Sequence, residues 1–208
     1  MNTRPVIDVS DLPHHGFDTV DTIWWGNNLL LAIETSMFAI LIATYFYLRQ
    51  NISPWPPPLA QLTAPFSPLP GLGFGTANAL VLLLSCLVMM WVDLSARRGS
   101  QGATQRGLII CLVFAFIAII LRSFEFRAVK FRWDSNAYGS VVWFILGMHM
   151  LHLITLTCET VLLTGWALTR DFDMKHRVDI TALAVYWYWV AGIWMVLYAV
   201  VYWAPRFS

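Results

Sequence analysis

Five stretches of predominantly apolar residues recur along the chain, at about 24–48, 74–94, 107–126, 139–168 and 180–203. Each is long enough to cross a bilayer core of about 30 Å as a helix rising about 1.5 Å per residue. Polar, charged or proline-rich connections separate them. The pattern predicts an all-α fold: an integral membrane bundle of five transmembrane helices, forming one domain over 1–208 with a polar amino-terminal arm at 1–23. That arm has no apolar h-region, so no cleaved signal peptide is expected. The connection at 51–73 holds seven prolines in twenty-three residues and cannot be helix. No internal repeat is evident, which disfavours a transporter built from inverted repeats.

Lysine and arginine fix an expected orientation. Arg4, Arg97, Arg98, Arg106, Arg170, Lys175 and Arg177 fall on one side, and Arg49, Arg127, Lys130, Arg132 and Arg206 on the other. Seven against five places the amino terminus inside. Composition agrees with a membrane chain: 58% of residues are hydrophobic and 12% charged, against about 25% charged in soluble domains. Mean hydropathy is +0.62. A net charge of +1 supplies no basic patch for nucleic acid, which is excluded as a partner. Cys86, Cys111 and Cys158 all lie inside apolar runs, where small buried hydrophobes are expected rather than disulfides or a zinc knuckle.

Against this background a few ionisable residues stand out. The fourth run carries His149, His152 and Glu159. At about 100° per residue, His152 is turned about 60° from His149, and Glu159 about 20° from His152, so the three form one polar seam expected to face the bundle interior. Two histidines at i and i+3 could ligate a metal or haem, but Glu159 is about 10.5 Å along the axis from His152 and cannot share their coordination shell. A hydrogen-bonded network between helices is the alternative, and no metal site is assigned. Glu34 lies about 15 Å into the first run, near mid-membrane. It is either a proton-relaying carboxylate or a structural hydrogen-bond donor between helices. Arg122 and Glu125 are i,i+3 partners, expected as an ion pair at the membrane edge. No nucleophile with a paired base stands out, so no catalytic residue is assigned.

Several pieces then occur in a telling order: Glu-Thr-Ser-Met-Phe at 34–38, Trp-Pro-Pro-Pro at 55–58, Phe-Glu-Phe at 124–126, Ala-Tyr-Gly-Ser at 137–140 and Gly-Met-His-Met-Leu-His at 147–152. Together they resemble subunit III of cytochrome c oxidase in its short five-helix bacterial form, over about 24–203. The closing span departs from that pattern. It reads Tyr186, Trp187, Tyr188, Trp189, Val190, Ala191 where the family usually has Tyr-Trp-His-Phe-Val-Asp, and Glu159 has no family counterpart. The resemblance implies a non-catalytic subunit of a respiratory haem-copper oxidase in a bacterial inner (plasma) membrane, docked on oxidase subunit I. It would stabilise that subunit, support proton uptake and bind membrane lipids, with bound phospholipid in its cleft. No cofactor is expected in this chain, haem and copper belonging to partner subunits. Glu34, His149 and His152 match the family's membrane carboxylate and paired histidines. A subunit-III-like accessory protein of a nitric oxide reductase and a stand-alone metal- or haem-binding membrane enzyme are the alternatives.

Overall fold

The computed structural model describes residues 22–57, 69–170 and 176–207; most of the polar arm therefore lies outside the described residues. Among the described residues five α-helices follow one another: α1 (Thr22–Asn51), α2 (Leu72–Arg97), α3 (Gln101–Ala128), α4 (Ala137–Thr169) and α5 (Arg177–Tyr198). All are long and apolar enough to cross a membrane. Each begins before its apolar run, because the polar residues flanking a span can extend its hydrogen-bonded turns into the interfacial zone. The chain is a multi-pass membrane protein.

Local chemistry sets the joints. α2 ends in a Schellman turn, with Gly99 at φ 68°, its N–H on the Ala96 carbonyl and the Ser100 N–H on the Ser95 carbonyl. A glycine takes that left-handed conformation without the Cβ penalty, so α3 can start at once and pack antiparallel to α2. At the head of α4, the Asn136 side chain accepts the Gly139 N–H at 2.7 Å and caps the helix.

α5 is the hub, packing against α1, α2 and α4. Its apolar window is 56% buried and that of α4 50%, while that of α1 is only 17% buried. Large aromatics fill the centre: Trp187 and Trp194 are fully buried, and Trp187 donates to Ser85 Oγ across the α2–α5 seam at 2.8 Å. Below Tyr198 the α-helical pattern does not run on as the apolar run predicts. Ala199–Trp203 form a π-helical turn and Ala204–Arg206 a 3₁₀ turn. The wider turn swings Tyr202 inward against Gly75 of α2, where a Cβ would stand 2.7 Å from its ring. Arg206 holds the end by donating to the carbonyls of Tyr202 and, at 2.8 Å, Pro70.

Candidate functional site

Two polar centres lie within the apolar bundle. The first is built on Arg122 of α3, whose side chain is fully buried. Its Nη1 donates to Glu125 Oε2 at 2.7 Å and its Nη2 donates to His149 Nδ1 at 2.8 Å. The guanidinium also stacks over the Trp194 ring, 3.6 Å from the centroid. Tyr202 donates its hydroxyl proton to the other oxygen of Glu125. Because an arginine only donates, His149 Nδ1 must accept, which leaves the proton on Nε2 to reach the Val190 carbonyl at 3.1 Å. Every charge here meets a partner, as burial requires. The pair expected at the membrane edge is buried between helices, in the last two turns of α3. Sequence spacing locates Arg122 near the end of its run but cannot show that α3 continues to Ala128 or that Trp194 roofs the site.

The second centre joins α1 to α4. Glu34 Oε2 and His152 Nε2 are 3.2 Å apart, and His152 Nδ1 lies 2.7 Å from the Met148 carbonyl. That carbonyl can only accept, so Nδ1 carries a hydrogen. Nε2 is left facing the Glu34 carboxyl group. Phe38 and Trp189 pack on the imidazole, with centroids 5.1 and 5.3 Å away. The Glu34 side chain is 24% exposed, opening on a cleft of about 190 Å³ lined also by Asn27, Thr155, Glu159 and Tyr186. A second groove of about 510 Å³ shares Asn27 and Glu159 and reaches Asp179. Asn27 itself donates to the Ala182 carbonyl at 3.2 Å, tying α1 to α5.

The family model for cytochrome c oxidase subunit III matches residues 4–205. The chain belongs to the cytochrome c oxidase subunit III family. Among its relatives are cytochrome c oxidase subunit 3 of Anopheles gambiae, 26% identical over 91% of this chain and 72% of that protein. The Locusta migratoria protein of the same name is 28% identical over 86% of this chain and 68% of its own length. The Mus musculus one is 29% identical over 91% and 72%.

In this subunit III family member the polar seam divides. His149 turns to Arg122 and His152 to Glu34, so a 60° difference sends the two imidazoles to different helices. Glu159 departs from the expected inward face: it is exposed and lines the open cleft. Among the described residues no group of three or more His, Cys, Asp or Glu could hold a metal. Tyr202 and Tyr186 are site residues that the spacing argument did not single out as chemistry, whereas Asn27, seven residues before Glu34, lies on the same face of α1 as its spacing requires and lines the same cleft. A buried Arg–Glu pair leaves one carboxylate oxygen in need of a donor, and that requirement is the signal pointing to an aromatic hydroxyl such as Tyr202.

Proposed function

We propose that this protein is the non-catalytic subunit III of a respiratory haem-copper oxidase, set in a bacterial plasma membrane with its amino terminus inside and docked on catalytic subunit I. There it stabilises subunit I, supports proton uptake and holds phospholipid; haem and copper belong to the partner subunits. The observation that carries the reading is the Glu34–His152 pair, a carboxyl group 3.2 Å from an imidazole between two helices of membrane-spanning length, beside a polar cleft. A carboxylate facing lipid tails costs about 2.5–3.5 kcal/mol on insertion scales, so a face bearing partly exposed Glu34 and exposed Glu159 favours protein or water as its neighbour. The run from Asp179 past Glu159 to Glu34 supplies hydrophilic groups in series, as proton movement needs. An apolar groove of about 860 Å³, lined by Leu41, Leu48, Val141, Trp143 and Phe144 among others, suits acyl chains.

The test is purification in mild detergent followed by turnover. The wild-type chain should co-purify with a haem-bearing partner; isolation without one overturns the reading. Glu34→Gln should assemble normally yet slow proton uptake or shorten the number of turnovers before inactivation. Unchanged uptake and unchanged inactivation in an assembled complex would leave Glu34 a packing role only.

A further inference from the structure

The α2–α5 seam carries a polar pairing that is complete at one level and incomplete at the next. Ser85 accepts from the Trp187 indole at 2.8 Å. The two helices are antiparallel, as the bonds Thr76–Tyr198 and Asp93–Thr181 at its two ends require. Seven residues are about two turns and return to the same face, so moving seven back along α2 and seven forward along α5 lands on Asn78 opposite Trp194. Asn78 and Trp194 are both fully buried. Yet Asn78 Oδ1 and Nδ2 and Trp194 Nε1 make no hydrogen bond within the described protein, and neither does Arg122 Nε. Arg122 lies on the face of that same indole, 3.6 Å from its centroid, and its Nε is bonded directly to the atom that sits there. By this register Asn78 and Trp194 share one level of the α2–α5 seam, with Arg122 beside the indole, so one acceptor and three donors, all buried, lie at that level.

Leaving a buried donor or acceptor unmade costs about 1–3 kcal/mol each, and buried groups of this kind are met by ordered water. We infer that the Asn78 amide, the Trp194 indole N–H and Arg122 Nε form a binding site for an internal water molecule. The water accepts from the indole and the guanidinium and donates to Asn78 Oδ1, a coordination of three that buried waters typically reach. This gives α2 a hydrogen-bonded link to the Arg122–Glu125–His149 centre, which is otherwise assembled from α3, α4, α5 and the turn beyond it. Unlike the function proposed above, this inference does not depend on which complex the chain joins.

Density and spectroscopy test it together in the intact complex. A map that resolves ordered water should place a peak within about 2.7–3.2 Å of both Asn78 and Trp194 Nε1. Solid-state NMR on indole-labelled protein should show magnetisation transfer from water to the Trp194 N–H, assigned by its loss in Trp194→Phe. Asn78→Leu should abolish that transfer, and Ser85→Ala, which alters the neighbouring pair, should retain it. If Asn78→Leu fails to assemble, the wild-type map and transfer decide alone. A wild-type protein with no water peak and no transfer, or with a direct Asn78–Trp194 bond, overturns the inference.

Discussion

Arg122 is a cation with no exposed surface, held by one carboxylate, one imidazole and one indole face. Removing its counter-charge strands it. Glu125→Ala should therefore destabilise the protein by about 3–5 kcal/mol, whereas replacing the charges together with the hydroxyl that Glu125 accepts from, as in Arg122→Met with Glu125→Leu and Tyr202→Phe, should cost less. Unfolding in a denaturing-detergent titration gives both values, and equal losses in the two variants would contradict a stranded charge as the cause of the loss. The sequence made Arg122 and Glu125 partners through their spacing alone. It could not place them in the interior, because burial there depends on Trp194 and Tyr202, which are about seventy to eighty residues later in the chain. His149 and His152 teach the same lesson: spacing gives their angle on one helix, but their roles follow from which neighbours stand at each angle.

At the scale of the element, apolar runs of membrane length identify all five helices, since a bilayer leaves a spanning segment few alternatives to a helix. The break in α5 is not legible in this way. Ala-Val-Val-Tyr-Trp at 199–203 is as apolar as the residues before it; the local breaker is Pro205, which has no N–H to give the Val201 carbonyl, and the widened turn ahead of it seats Tyr202. Its seat needs a glycine on α2. Gly75→Ala would drive a methyl group into the Tyr202 ring and should cost about 1–3 kcal/mol. Gly73→Ala, where a Cβ meets nothing within 4 Å, should be neutral or slightly stabilising. Thermal unfolding of the solubilised complex would show both, and similar values for the two would dissociate the π turn from the Gly75 contact. The cleft between α1 and α4 was only half legible: Glu34 was visible as a mid-membrane carboxylate, but its partner His152 is 118 residues away.

At the scale of the whole molecule, four helices form a well-packed body and α1 leans on it along α4 and α5, with most of its surface turned outward. That arrangement bears on how the chain enters the membrane. Synthesis at about 5–20 residues per second separates Glu34 from His152 by about 6–24 s. During that interval α1 resides in the bilayer with its carboxyl group unmatched and with neither of the two helices it packs against yet made. A chain truncated before α4 should accordingly insert α1 less completely than the full chain does. Glu34→Leu should restore insertion of the truncated form while leaving that of the full chain unchanged, as glycosylation mapping would report. Equal insertion of both truncated forms would mean that α1 is stable in lipid alone. Of the five helices described, α1 is the first to be made, and it meets its packing partners only once α4 and α5 have followed.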